Sequence, residues 1–132
     1  MSEQDLFKLG DYTLNSGFKS NYKIDADALS DNSWECIAYL LSLRLPPFGD
    51  VEGVPRGGLK LARAMEKYRS SVLGNFPTLI CDDVYTTGGS MARQRNNRDK
   101  VIGCVWVART ITFRWVTPLL LMTPYLLSRS LM

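Results

Sequence analysis

Histidine is missing from this 132-residue chain altogether, and that single absence removes a good deal of chemistry. Without imidazole there is no Ser-His or Cys-His nucleophile pair, no common zinc or haem ligand, and no side chain that titrates unperturbed near neutrality. Cysteine is scarce. Cys36, Cys81 and Cys104 form no C-x-x-C pair, which argues against a disulfide framework and a zinc site. Cys81 and Cys104 stand inside apolar runs, where a thiol is a small buried hydrophobe, so a reducing cytoplasm is the expected setting. Long hydrophobic runs are lacking too. The greasiest stretch, VTPLLLMTPYLL (116 to 127), is too short to span a bilayer and carries two prolines. It reads as a packed C-terminal element or an oligomer contact. MSEQDLFKLG has no basic-then-apolar leader pattern. Neither sign of charge dominates: +3 suits a small anionic ligand and is too little for nucleic-acid binding without a clustered patch.

What is present suits one globular domain spanning 1–132, with 45% hydrophobic and 22% charged residues. Residues 3 to 9 are compatible with a short helix. DYTLNSGFKSNYKID predicts two short strands around a Ser-Gly turn, with Tyr12, Leu14, Tyr22 and Ile24 alternating. Asn32, with Glu35 three residues on, predicts a capping box, and Trp34, Ile37, Ala38, Leu41 and Leu45 share one helical face before Pro46-Pro47. A short strand over 50–54, a helix over 59–69 with Leu61, Ala62, Met65 and Tyr68 inward, a strand over 78–81 and a helix over 90–97 follow. VIGCVWVA (101 to 108) is a continuous apolar run, as expected of a strand covered on both faces. This alternation predicts an α/β fold, a mostly parallel twisted sheet flanked by helices and joined by right-handed crossovers.

Two of those strands end in glycine-rich turns that open helices: GVPRGG (53 to 58) and DDVYTTGGS (82 to 90). In such sheets ligands sit beyond the carboxyl ends of the strands, so both turns belong to one edge. Gly88 and Gly89 let backbone N–H groups approach a ligand, while Thr86, Thr87 and Ser90 add hydroxyl donors at the positive end of the next helix. That is a phosphate cradle. It is no Walker A loop, because G-x-x-x-x-G-K-[ST] is absent. Asp82 and Asp83 would repel a phosphate, so they face another part of the same ligand. Vicinal sugar hydroxyls or a hydrated magnesium ion both fit them. A phosphorylated sugar is implied. The bland alternative, a solvated strand-to-helix turn, explains DD or GG alone more easily than the whole unbroken order.

TLICDDVYTTGGS (78 to 90) resembles the 5-phosphoribosyl-1-diphosphate (PRPP) motif of the type I phosphoribosyltransferases. GVPRGGLKLA is similar to that family's pyrophosphate loop, with Arg56 at a position that often bears a basic residue, beside Gly57. GDYTLNSGFKSNYKID (10 to 25) resembles the strand-turn-strand that opens orotate phosphoribosyltransferases, where an SG-x-K-S turn brings a lysine, here Lys19, to the substrate. Arg109 sits where that family commonly places an arginine near the base, and Phe18 would lie beside it. The resemblance implies transfer of ribose 5-phosphate from PRPP to a nucleobase, orotate favoured, with magnesium carried by PRPP and a homodimer as the assembly. It implies Lys19, Arg56, Asp82 and Asp83 as catalytic residues; Asp82, Asp83 and 86–90 for PRPP; Arg56 and Gly57 for pyrophosphate; and Phe18, Lys19 and Arg109 for the base. The transition state would be oxocarbenium-like and needs no covalent nucleophile.

Two regions depart from the family. Only SSVLGNFP separates the second helix from the PRPP strand, where relatives carry a basic, mobile hood that closes over the site. Its loss leaves a second reading, a PRPP- or nucleotide-binding regulator with weak or no turnover. Residues 110–132 lack a charged, periodic final helix; Trp115, Leu119 to Met122, Leu126 and Leu127 would close the core or pack a dimer. Among the rest, Lys60, Arg63 and Lys67 read as an exposed helix face, and Trp34 and Trp106 as core. Arg93, Arg95, Arg98 and Lys100 read as a solvated face first and a phosphate or RNA contact second.

Overall fold

The computed structural model describes residues 6–13 and 19–122. Strands β1 (Phe7–Thr13) and β2 (Lys19–Ile24) form an antiparallel pair of their own. A 3-10 turn (Ala26–Ala28) leads to helix α1 (Asp31–Ser42). Then come β3 (Val51–Gly53), α2 (Leu59–Met65) with a 3-10 extension (Glu66–Tyr68), β4 (Thr78–Tyr85), α3 (Gly89–Arg95), β5 (Val101–Ala108) and β6 (Val116–Leu121). The sheet β3-β4-β5-β6 is parallel throughout. The expected α/β architecture is therefore the observed one.

Each face of that sheet has its own core. On one, Leu79, Cys81, Cys104 and Trp106 meet Trp34, Ile37, Ala38 and Leu41 of α1 and Leu61, Ala62 and Met65 of α2. Trp34 and Trp106 pack edge to face, centroids 6.0 Å apart, as core residues. Leu6 and Ile24, at the base of the β1-β2 hairpin, rest on this layer. On the other, Ile80, Tyr85, Val105 and Ala108 meet Met91 of α3 and Val116, with Trp115 alongside.

Several boundaries differ from the sequence-based expectation. Phe7 to Leu9 are strand rather than helix, because each pairs across the hairpin with Ile24, Lys23 and Tyr22. The cap of α1 is Ser30, not Asn32: its extended backbone lets its hydroxyl accept the Ser33 N–H at 3.2 Å. Glu35 instead pairs with Lys67 of the 3-10 extension. Strand β4 runs on through both aspartates to Tyr85, drawn along by its ladder to β5, where Asp82 opposes Val105 and Tyr85 opposes Ala108. VTPLLL is a fourth parallel strand, reached from β5 by only the seven residues 109–115. Pro118, which cannot donate to a ladder, is tolerated there because β6 is an edge. Leu126 and Leu127 lie outside the described residues. Among the described residues no helix is long and apolar enough to cross a membrane.

Candidate functional site

Both glycine-rich turns emerge at the carboxyl edge of the sheet, from adjacent strands, and they touch. The Val54 N–H donates to Cys81 O of β4 at 2.8 Å, and the Gly58 N–H donates back to Val54 O at 2.8 Å, closing the PRGG turn against the neighbouring strand. Within it the Pro55–Arg56 peptide is cis. A Cβ on Gly57 would overlap the Asp83 carboxylate. Glycine here lets the turn lie directly against that carboxylate. Arg56 is exposed at the tip.

The two aspartates are differently placed. Asp82 is 7% exposed and Asp83 half-buried. The Asp83 N–H donates to Asp82 Oδ1, and the Val84 N–H to Asp83 Oδ1, both at 2.8 Å, so each carboxylate is fixed by the next backbone amide. Burial, reinforced by the hydrogen bond and negative charge of Asp83, pushes the Asp82 carboxyl up to about 8. An acid held largely uncharged at neutrality by burial is poised to ionise when a cation arrives or to share hydroxyl hydrogens.

Beyond β4, the chain turns through Gly88, whose φ of 84° is left-handed and whose missing Cβ leaves room for the Tyr85 hydroxyl and the Phe113 ring. The Gly89 N–H points towards Thr87 Oγ1 at 3.4 Å. A cavity of about 220 Å³ opens here, lined by Asp82, Tyr85 and the run Thr86 to Ser90, together with Arg93. That is below the ~300–1,000 Å³ of a whole small-molecule site, and suits a phosphate with part of its sugar. Because α3 has only seven residues, the cradle rests on its amides and hydroxyls rather than on a helix dipole.

The sequence-predicted residues divide accordingly. Asp82 and Thr86 to Ser90 line one cavity; Asp83, Gly57 and Arg56 stand at the adjoining turn. Arg109 follows β5 at the same edge, its N–H donating to Tyr85 O at 2.8 Å, but it is 2% exposed and does not line the cavity. Lys19 opens β2 opposite Thr13, its side chain outside what is described, and Phe18 lies outside the described residues. No described contact brings the hairpin to the cradle.

Arg93, read as a solvated face first and a phosphate or RNA contact second, lines the cavity, three residues on from Ser90. Two features were not foreseen. Tyr85 props the turn: its hydroxyl accepts the Phe113 N–H at 3.2 Å, and its ring meets Phe113 edge to face at 5.8 Å. Phe113 stacks in turn on Trp115, over which Arg95 lies at 4.9 Å. Arg98 is occupied as well, forking onto both oxygens of Glu52 at 2.8 Å. Lys60, Arg63 and Lys67 are exposed as expected.

The segment between α2 and β4 is pinned at the far end of the sheet. Ser70 N–H donates to Phe48 O, Gly49 N–H to Pro77 O, and Arg69 Nε to Gly49 O, all at 2.7–2.9 Å. The length of β4, on the order of 25 Å, separates it from the cradle.

No protein-family model and no curated protein matches the sequence. Solved structures do match the fold. Orotate phosphoribosyltransferase from Aeropyrum pernix superposes with a TM-score of 0.68 at 23% identity, covering 89% of this chain and 88% of that one. UMP synthase from Leishmania donovani gives 0.70 at 19% identity, covering 89% of this chain and 34% of that longer one. Orotate phosphoribosyltransferase from Mycobacterium tuberculosis gives 0.62 at 17% identity, over 88% and 89% of the two chains. By these superpositions, the chain has the fold of the orotate phosphoribosyltransferases.

Proposed function

We propose that this chain transfers ribose 5-phosphate from PRPP to a nucleobase, orotate in first place, releasing pyrophosphate and forming a nucleoside 5′-monophosphate. The observation that carries the reading is the contact of Gly57 with Asp83. It sets a second anion-accepting turn beside the acidic pair, which suits a sugar bearing phosphate groups at both ends. Thr86 to Ser90 take the 5-phosphate, Asp82 and Asp83 accept hydrogen bonds from the ribose hydroxyls, and Arg56 with Gly57 takes the diphosphate. Lys19, Phe18 and Arg109 serve the base side.

As the bond from the anomeric carbon to the diphosphate oxygen lengthens, positive charge grows on the sugar and negative charge on the leaving group. The fixed carboxylates face the first and Arg56 faces the second. The base nitrogen then bonds to the anomeric carbon as the bond to the diphosphate oxygen breaks, pyrophosphate departs, and the proton the nitrogen carried passes to the departing pyrophosphate or to solvent. Magnesium fits this site only as a passenger: no cluster of three acidic or thiol side chains exists among the described residues, but a carboxyl raised by burial and by its neighbour gains from a nearby cation. Carried in on the diphosphate and water-bridged to Asp82 and Asp83, it would offset leaving-group charge.

A second reading, a PRPP- or nucleotide-binding regulator, has one observation in its favour. The 69–77 segment is tied down at the opposite end of the sheet and cannot close over the cradle. A homodimer is the assembly we favour, since Leu40 of α1, Leu43 just after it, and Leu120 and Leu121 of edge strand β6 are exposed. A cytoplasmic setting suits Cys81 and Cys104, free thiols 3.7 Å apart. The test is magnesium-dependent consumption of orotate with PRPP, followed by absorbance, with Asp82→Asn/Asp83→Asn as the blank. Turnover lost in the blank supports the enzyme. PRPP binding with no product from any base in a panel would favour the regulator.

A further inference from the structure

We propose that Arg93 is the cation of the cradle and gives it selectivity for a dianionic phosphate monoester over a singly charged group of the same shape. The proposal rests on the reading of 86–90 as the 5-phosphate site, and goes beyond it by assigning the charge that the backbone amides and hydroxyls lack.

Arg93 stands one turn into α3 and lines the same cavity as Thr86, Thr87, Gly88 and Ser90. Its Nη2 donates to Ser90 Oγ at 3.4 Å, and its Nη1 lies 3.4 Å from where a Cβ on Gly89 would stand. The guanidinium therefore hangs over the mouth of the glycine turn, within reach of anything seated there. The other two arginines of the run are engaged elsewhere: Arg95 lies over the Trp115 ring and Arg98 grips Glu52. Arg93 has no carboxylate within ion-pair distance among the described residues. Asp82, the one acid lining the cavity, is itself held largely uncharged at neutrality by burial.

A cradle whose rim carries a cation with no ion-pair partner among the described residues, and whose floor carries neutral donors, is matched to an anion. Amides and hydroxyls bind phosphate and sulfate oxygens in much the same geometry. A guanidinium adds a charge-assisted, forked contact that grows with the ligand's charge. Discrimination between the two anions therefore belongs to Arg93.

The experiment is calorimetry with ribose 5-phosphate and ribose 5-sulfate on wild type, Arg93→Gln and Arg93→Lys, each checked for an unchanged thermal transition. Loss of a charge-assisted contact should weaken ribose 5-phosphate by roughly 10- to 100-fold in Arg93→Gln. Ribose 5-sulfate should weaken less, so the preference narrows, and Arg93→Lys should restore most of the phosphate affinity. Unchanged phosphate affinity in Arg93→Gln would overturn the proposal while leaving the cradle intact. Equal losses for both ligands, without rescue by lysine, would also overturn it and reduce Arg93 to a prop for Ser90. Failure of wild type to bind ribose 5-phosphate at all would overturn the cradle reading itself.

Discussion

Replacing Asp82 with asparagine should make the unliganded protein more stable, by an amount that grows with pH. Asp82 ionises near 3.9 in an unfolded chain and at about 8 in the folded one, chiefly because burial disfavours its charge. The sign follows directly. Below pH ~4 both states hold the proton and the site costs nothing. From there up to about 8 the unfolded state gives up a proton that the folded state retains, so wild-type stability falls as pH rises. One such group contributes a slope of ~1.4 kcal/mol per pH unit, or ~3 kcal/mol between pH 5 and pH 7. Asparagine removes the titration and keeps an acceptor for the Asp83 N–H. Allowing for relaxation around the site, we expect Asp82→Asn to be ~1–3 kcal/mol more stable at pH 7 and nearly equal at pH 4.5. Glu52, held below the usual carboxylate range by Arg98, loses its contribution only as pH falls below ~4.5, outside this window. Urea unfolding of both proteins at pH 4.5, 6, 7 and 8 measures the difference. Parallel pH profiles, or a variant less stable at pH 8, would refute the argument that Asp82 is retained at a cost in stability.

Other substitutions probe separate parts. Gly88→Ala places a methyl against the Tyr85 hydroxyl and Phe113 at a left-handed φ, so a loss of ~2–4 kcal/mol in urea unfolding is expected; a loss under 0.5 kcal/mol would show that the turn relaxes freely. Lys19→Ala should abolish turnover while leaving PRPP binding within about threefold by calorimetry; wild-type rates would remove Lys19 from the site. Arg98→Ala breaks a half-exposed ion pair on Glu52 and should leave the thermal transition nearly unchanged; a large drop in the melting temperature would show that the pair holds β3 to the segment after α3.

The central βαβαβ run was legible because its signals are local. VIGCVWVA can only be a strand covered on both sides, and Leu61, Ala62 and Met65 share one helical face. The order of the acidic pair, the hydroxyls and the glycines pointed to residues, Asp82 and Thr86 to Ser90, that do line one cavity. What escaped depends on partners distant in sequence. Asp82 and Asp83 looked like loop because carboxylates favour water, yet β5 pairs with β4 as far as Tyr85. β6 was hidden by Pro118 and by the want of a helix before it, features that an edge position allows. Arg93, Arg95 and Arg98 form one run in sequence and three environments in space: cavity rim, tryptophan face and Glu52. Spacing alone does not assign such partners.

The central claim is that the turn from Thr86 to Ser90 holds the 5-phosphate of PRPP. Gly89→Val tests it most directly, because a Cβ there meets only the Arg93 and Thr87 side chains, at 3.4 and 3.6 Å. The fold should therefore tolerate the substitution while the cradle fills. Calorimetric titration of PRPP with magnesium into wild type and Gly89→Val should show binding in the first and at least a 100-fold loss in the second, with circular dichroism unchanged. Equal binding by the two proteins would contradict the account.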